Sequence, residues 1–518
     1  MEYRYVLSID CGTQSVRGLL FDAAGHIVAK HKVEFEPYFS PAPGYAEHRV
    51  EDYWRDTCLA LQGLKEDAPE AWQHIAAVAV TTQRDTVVPV DATGTPLRPA
   101  FVWLDQRMAR CDKPMAAFDR LQFAVTGMTT AVEITRRKGK DNWMAENEPE
   151  LWARTSKWLL LSGYFCYKLT GRYVDSVASQ IGHIPLDYHT RNWPRSDSSW
   201  RWHMGHARRD QMPELVEAGE LMGTISTDAA DATGIPEGTP VIAAGSDKGC
   251  ETLGVGCVDL SSVSLSFGTT ATAQTTSDHY FEPILFMPPY PASVKGSFNP
   301  EVEVFRGYWM VSWFKKEFAE REALEAKERG VPPETILDEH LGDVPPGSQG
   351  LMLQPYWGPG LKMPEAKGSM IGFGDVHTRA HIYRAIIEGI GYALLEGVER
   401  IERRGGQRVT RIMVSGGGSQ SNAICQITAD LFDRPVVRSE TYETSGLGAA
   451  MNGFVGLGVY ATHAEAAEHM VHWDATFLPR PEAARIYHEL FTRVYKRIYP
   501  ALKPLYQQIQ GITGYPDI

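Results

Sequence analysis

Nowhere in this chain does an apolar run approach the roughly 18–20 residues a helix needs to cross a bilayer, so no spanning helix is expected. Its beginning also lacks a basic leader or signal-peptide core, because MEYRYVLSID runs straight into a strand pattern. Cysteine is sparse and unpaired. The seven residues Cys11, Cys58, Cys111, Cys166, Cys250, Cys257 and Cys425 form no CxxC motif, which excludes a sequence-evident zinc or disulfide framework. Together these features predict a cytoplasmic protein with reduced thiols. Positive charge is also in short supply: 51 Lys and Arg against 64 Asp and Glu leave a formal −13. That balance argues against nucleic acid or an anionic membrane as the main partner. No Walker A loop occurs, which sets aside a P-loop kinase.

What is present is aromatic bulk and an α/β pattern. A length of 518 residues exceeds one hydrophobic core, so at least two domains are expected. Tyr5, Val6, Leu7 and Ile9 form a first strand, Val16, Leu19, Leu20 and Phe21 a second, and His26-Ile27-Val28-Ala29 a third after an Asp-Ala-Ala-Gly turn. Val50, Trp54, Cys58, Leu61 and Leu64 recur at helical spacing. Residues 75–81, 86–91 and 241–244 read as further strands. A second cycle begins near Ser262, where SVSLSFGTTATAQTT is again strand, Gly-Thr turn, strand. Each half of the chain thus offers one glycine-threonine hairpin, a weak internal duplication. Residues 278–365 are rich in proline and glycine, with Pro345-Pro346-Gly347 and Gly358-Pro359-Gly360 among them, and read as loops around a helix at 313–328. A long helix at 379–404, a strand at 411–415 and an amphipathic helix through Ile486, Leu490, Val494 and Ile498 complete the pattern. The expected division is 1–257 and 258–518.

Four clusters carry chemistry. In Asp10-Cys11-Gly12-Thr13-Gln14-Ser15 a glycine turn can bring backbone N–H groups to a phosphate, hydroxyls add donors, and Asp10 is an oxygen ligand suited to Mg2+. A plain hairpin explains that stretch equally well. Gly268-Thr269-Thr270 repeats the device, and the pair is more telling than either member. Gly416, Gly417 and Gly418 leave bare backbone before a helix that begins near Asn422, a surface on which a purine or ribose can lie. A dinucleotide fingerprint is disfavoured because Ser421 stands where its third glycine belongs. Asp247 follows a buried-looking strand and opens a helix, where it can serve as a general base or simply as a helix cap. His203 and His206 lack the acidic or cysteine neighbours of a metal motif.

These motifs, in this order, resemble those of the FGGY family of carbohydrate kinases, in the sugar kinase, heat-shock protein and actin superfamily. The resemblance extends from Tyr5 to Gly456 and includes Pro346-Gly347-Ser348-Gln349-Gly350-Leu351, Arg384-Ala385-Ile386-Ile387-Glu388-Gly389-Ile390 and Glu443 with Gly446-Leu447-Gly448-Ala449-Ala450. It implies two ribonuclease-H-like (actin-like ATPase) α/β domains with ATP and a small sugar or polyol meeting in the cleft between them. By the same resemblance Asp247 would be the catalytic base, and Asp10 with Asp247 would hold Mg2+. Gly12, Thr13, Gln14, Ser15, Gly268, Thr269, Thr270, Gly416, Gly417, Gly418 and Asn422 would bind ATP. Gln83-Arg84-Asp85 is similar to the Gln-Arg-Glu of glycerol kinases, whereas Trp103-Leu104-Asp105-Gln106-Arg107 is closer to the Trp-x-Asp-x-Arg of pentulose kinases. Gln83, Arg84, Asp85 and Trp103 would therefore line the acceptor pocket, with Trp103 as an apolar wall. Lys248 and the run Arg136-Arg137-Lys138-Gly139-Lys140 depart from the family pattern and would favour an acidic acceptor if they faced the cleft; a solvated helix start also accounts for the run. A nucleotide-dependent regulatory protein of the same fold is the competing function, and a homodimer is compatible with the family.

Overall fold

The computed structural model describes residues 5–112, 114–357, 363 and 365–515. Two six-stranded sheets organise them. The first contains, in spatial order, Leu221–Thr224, Pro240–Ser246, Ile75–Thr82, Tyr5–Cys11, Ser15–Asp22 and Ile27–Glu34. The second contains Trp473–Phe477, Val436–Ser439, Arg411–Ser415, Ser262–Phe267, Ala271–Gln274 and Glu301–Val304. In both, a three-stranded antiparallel meander continues through two parallel strands to an antiparallel edge strand. The two Gly-Thr turns occupy equivalent places, between Cys11 and Ser15 in one sheet and between Phe267 and Ala271 in the other. The sequence-level hint of duplication is thus a duplication of topology.

The strand interiors explain the sheets. Tyr5–Cys11 and Ile75–Thr82 are buried almost throughout because parallel neighbours and helices cover both faces, as their near-continuous apolar sequences require. Ile27–Glu34, at the sheet edge, alternates half-buried and exposed positions. Helix Val50–Asp67 covers one face, and Val50, Tyr53, Leu61 and Leu64 sink into a core with Leu7, Ile9 and Val80.

The other face of the first sheet is covered from far along the chain. Helices Thr444–Gly456 and His463–Met470 pack there, joining Leu447, Met451, Phe454 and Met470 to Val6, Leu19, Phe21 and Ala79 in one cluster. Helix Thr444–Gly456 also lies against Asp247–Gly254 at backbone contact. A Cβ on Gly254 would fall 1.9 Å from the Thr444 carbonyl oxygen, and one on Gly448 2.0 Å from that of Cys250. No side chain larger than hydrogen fits at either position.

Residues 278–365 depart from the loop-rich expectation. They supply the edge strand Glu301–Val304 and three helices, Trp309–Phe318, Glu320–Arg329 and Pro333–Leu341, in place of a single one. The short alternation Glu-Val-Glu-Val was obscured by the flanking prolines. The Gly358-Pro359-Gly360 turn lies outside the described residues. The long helix is Arg379–Gly405, closed by Gly406 at φ +72°. The two motif stretches near it meet: Glu388 accepts from the Gly347 N–H and the Ser348 hydroxyl, both at 3.0 Å, and Arg384 Nε donates to it at 2.7 Å. The amphipathic segment is Pro481–Leu490, a π-helical turn at Phe491–Tyr495, and Lys496–Thr513. Its Tyr487, Phe491 and Tyr495 pack on Tyr392 of the long helix.

Replacing Gly448 by alanine forces two touching backbones apart. Overpacking of this kind costs about 1–3 kcal/mol and occasionally more. Gly448→Ala is expected to lower the thermal midpoint, read by calorimetry, whereas Gly458→Ala, with no atom within 4 Å of its Cβ position but φ +73°, is expected to lower it less.

Candidate active site

The first hairpin places Asp10 opposite Arg17 in register. Arg17 Nη1 donates to Asp10 Oδ2 at 3.1 Å, and its Nε lies 3.6 Å from Glu443, at the start of helix Thr444–Gly456. Arg17 is a site residue that the motifs alone do not reveal. Counting outward from the turn, Cys11 against Val16 and then Asp10 against Arg17, finds it. Burial pushes the Asp10 carboxyl up to about 6; Arg17 works against that rise, and Asp247 and Glu443 add to it.

Helix capping is one expected role for Asp247, and that position belongs to its neighbour. Ser246 is the N-cap of Asp247–Gly254, accepting from the Gly249 N–H at 3.3 Å. Asp247 stands in the first turn, where the helix N–H groups favour its charge. Burial nevertheless raises its pKa, while the charges of Arg84 and Lys248 pull it back. Ser445 Oγ donates to the Asp247 carbonyl at 3.1 Å, tying the two helix starts together.

Lys248 links this point to the second hairpin. Its Nζ lies 2.6 Å from Glu251 Oε2 and 2.7 Å from Ser266 Oγ, on the strand leading to Gly268-Thr269-Thr270. Glu251 in turn accepts from Ser266 at 2.9 Å and Ser415 at 2.6 Å. Lys248 is therefore charge-matched within the structure. The glycine loop adjoins the same hairpin: Gly416 at φ +81° packs on the Phe267 backbone, and Gly418 packs on Phe267 and Tyr308. Gly417 has open space at its Cβ position. Asn422 is engaged elsewhere, its Oδ1 accepting from Arg438 Nη1 at 2.9 Å. Of the hairpin hydroxyls, Thr269 is exposed, Thr270 donates to the Phe305 carbonyl at 3.2 Å, and Ser15 is buried. Gln14 is exposed, and Gly12 N–H closes the first turn on the Ser15 carbonyl at 3.0 Å.

The expected acceptor residues divide by partner. Gln83 is buried and donates to the Tyr53 hydroxyl at 2.8 Å. Arg84 makes a two-point contact with Glu301 of the second sheet, Nη1 at 2.9 Å and Nη2 at 3.0 Å, and its guanidinium covers the Tyr290 ring at 5.0 Å. Burial opposes the Glu301 charge, but Arg84 outweighs it and holds the pKa below the usual range. Beside it Glu303 is pushed up to about 8 by burial and by Glu301. Asp85 sits at φ +50° and accepts from the His183 N–H at 3.0 Å, its other oxygen 2.8 Å from His183 Nδ1. The Asp85 charge raises the His183 pKa, and His183 in turn helps hold Asp85 low against the effect of burial.

Trp103 is 43% exposed, and its Nε1 donates to Thr13 Oγ1 at 3.0 Å, so it spans from the acceptor stretch to the first hairpin. Asp105 and Arg107 of the same pattern are buried. Asp105 accepts from the Ala46 N–H at 2.8 Å and meets Lys140 at 2.9 Å, while Arg107 covers the Tyr45 ring at 3.8 Å. They anchor the loop that leaves Trp103 projecting. The basic run is split: Arg136, Arg137 and Lys138 end helix Thr129–Lys138, and Lys140 starts the next helix, where it is buried against Asp105 rather than solvated. His203 pairs with Asp119 and His206 with Asn142, and among the described residues no group of three or more His, Cys, Asp or Glu is arranged to hold a metal.

The model of the FGGY family of carbohydrate kinases, N-terminal domain, matches residues 5–254, and that of its C-terminal domain matches residues 263–457. The chain belongs to the FGGY family of carbohydrate kinases. It is 28% identical over 522 residues to the uncharacterized sugar kinase YgcE of Escherichia coli K12, covering 100% of this chain and 98% of that one. It is 27% identical over 523 residues to a xylulose kinase of Lactococcus lactis, covering 98% of each. Among solved structures, a xylulose kinase from Rhodospirillum rubrum superposes with a TM-score of 0.84 at 25% identity, over 97% of this chain and 100% of that chain. This carbohydrate kinase has the two-domain actin-like ATPase fold of its relatives, uses ATP as phosphoryl donor as the family does, and takes a small sugar as substrate. None of its described helices is long and apolar enough to cross a membrane.

Breaking the Arg84–Glu301 contact isolates a buried charge, a change that costs about 3–5 kcal/mol in comparable pairs, whereas replacing both partners by apolar groups is often neutral. Glu301→Ala is expected to lower the urea midpoint sharply, and Arg84→Met with Glu301→Leu is expected to recover most of the loss without recovering turnover.

Proposed function

We propose that this kinase phosphorylates an uncharged sugar or polyol, with Asp247 as the general base. The observation that carries the reading is the position of Asp247: released from capping by Ser246, raised by burial, and linked through Lys248 to the strand that ends in the second hairpin. Asp247 takes the proton of the acceptor hydroxyl as its oxygen bonds to the γ-phosphorus of ATP. The bond from that phosphorus to the bridging oxygen breaks, and ADP leaves with the bridging oxygen. The turns at Gly12, Thr13, Gln14 and Ser15 and at Gly268, Thr269 and Thr270 hold the phosphate chain from the two sheets, and Gly417 offers the open backbone for the nucleoside. Domain division at 257/258 puts one turn on each side of the cleft.

Asp10 and Asp247 fit a Mg2+ ion. Both are oxygen donors, and the charge of Asp247 is already felt at Asp10, so a divalent cation between them would relieve that repulsion. When bound, Mg2+ would neutralise charge on the phosphates. The acceptor is assigned as uncharged because nearby cations are already matched: Arg84 by Glu301, Lys248 by Glu251, Lys140 by Asp105 and Arg17 by Asp10. Trp103 gives that acceptor an apolar C–H wall, and Gln83, Arg84 and Asp85 set its orientation. The similarity to xylulose kinases over the full chain supports a ketose-like or polyol acceptor. Seven free cysteines and the need for ATP support a cytoplasmic setting.

General-base catalysis is worth about 10²–10⁴ in rate. Asp247→Asn is expected to lower turnover by that factor in a coupled ADP-release assay over polyols and ketoses, with binding of a fluorescent ATP analogue retained. Near-normal turnover of the variant would remove Asp247 from the role.

A further inference from the structure

Beside the acceptor residues lies a cavity of about 450 Å3 that none of the roles above uses. Its walls come from helices Ala117–Val125 and Thr129–Lys138, from residues 182–207, and from residues 280–288 of the other half of the chain. Aromatic and aliphatic groups dominate. Phe123 meets Trp200 edge to face at 5.3 Å, with Ile184, Tyr188 and Phe286 around them.

Two contacts tie the wall of the cavity to the acceptor residues. His183, on its wall, holds Asp85 through Nδ1, so the opposite ring nitrogen is directed away from Asp85. Tyr188, also on its wall, packs against Tyr290 at 6.0 Å, and Tyr290 lies under the Arg84 guanidinium. The cavity therefore stands behind the side chains that pack on Arg84 and Asp85. Two cations, Arg136 and Arg201, and two carboxylates, Asp141 and Glu282, line the cavity, and Arg201 is further matched by Asp187 at 2.9 Å, so the formal charge of the lining is balanced and does not call for an anion.

We infer that this cavity is the distal subsite of the acceptor, and that the physiological substrate is a neutral sugar or polyol longer than a pentulose whose far end lies against Trp200, Phe123 and Tyr188 while one of its hydroxyls donates to His183 Nε2. The inference rests on the proposed acceptor site and extends it. Cavities of about 300–1,000 Å3 lined by aromatic groups with a few polar ones are the usual setting for ligands larger than a triol. The C–H faces of a carbohydrate match aromatic walls, and a hydroxyl that both donates and accepts matches the second ring nitrogen of His183.

The test is kcat/KM by ADP release for glycerol, D-xylulose, D-fructose, sedoheptulose and maltitol, with wild type, Ile184→Trp and Trp200→Ala. Each added contact of methylene size in an apolar pocket is worth about 10–200-fold. The six-carbon and longer acceptors are expected to exceed glycerol and xylulose by about tenfold or more. Ile184→Trp, which fills the cavity, should abolish that advantage and leave the short acceptors within about twofold of wild type. Should that variant fail to fold, Trp200→Ala probes the same wall by removing its area, and it should lower kcat/KM for the long acceptors only. Short acceptors turning over best, or both variants affecting short and long acceptors alike, would overturn the subsite and leave the kinase reading standing. Turnover of no acceptor, with ATP-analogue binding intact, would overturn the acceptor reading and the subsite with it.

Discussion

The contact on which the rest of this structure depends is backbone against backbone, where Gly254 of one helix meets Thr444 and Gly448 of the other meets Cys250. It is van der Waals contact at its tightest, and it does what a longer side chain could not. The start of helix Thr444–Gly456 comes close enough for Ser445 to hold the Asp247 carbonyl and for Glu443 to reach Arg17. The position of the raised carboxylate beside the first hairpin is thus inherited from two hydrogen atoms standing where methyl groups would not fit. The apolar remainder of that helix, through Leu447, Met451 and Phe454, secures the arrangement by burial on the first sheet.

Around that contact the charges are matched, and some of the contacts they make cross from one half of the molecule to the other. Arg84 reaches Glu301, and Lys248 reaches Ser266 while answering Glu251. Such buried pairs contribute little net stability because desolvation opposes attraction, yet they penalise any misplacement heavily. They act here as registration marks, fixing how the two sheets face each other and leaving Asp247 under a balance of burial and neighbouring cations.

Much of this was legible in the chain itself. The Gly-Thr hairpins, the strand before Asp247 and the glycine turn before Asn422 announce themselves because turn chemistry is local and glycine is sparing of alternatives. What stayed hidden was non-local. Glu301 sits in a proline-rich stretch whose four-residue strand is too short to show its period, and only pairing with Ala271–Gln274 makes it a strand. Arg17 was within reach, since hairpin register alone sets it opposite Asp10. The Trp-x-Asp-x-Arg pattern reads as a pocket, but two of its three residues are buried anchors whose roles depend on Ala46, Tyr45 and Lys140. Capping falls one residue away from the aspartate that the pattern points to, at Ser246.

The matched topologies conceal an inequality. In the first meander the penultimate residue of the leading strand is Asp10; in the second, the same place is held by Ser266. One half thus brings formal negative charge to its turn and the other brings a neutral hydroxyl. A polyanion laid between such halves would meet a carboxylate paired with Arg17 on one side and a hydroxyl bonded to Lys248 on the other, so an otherwise twofold-like cradle acquires a direction.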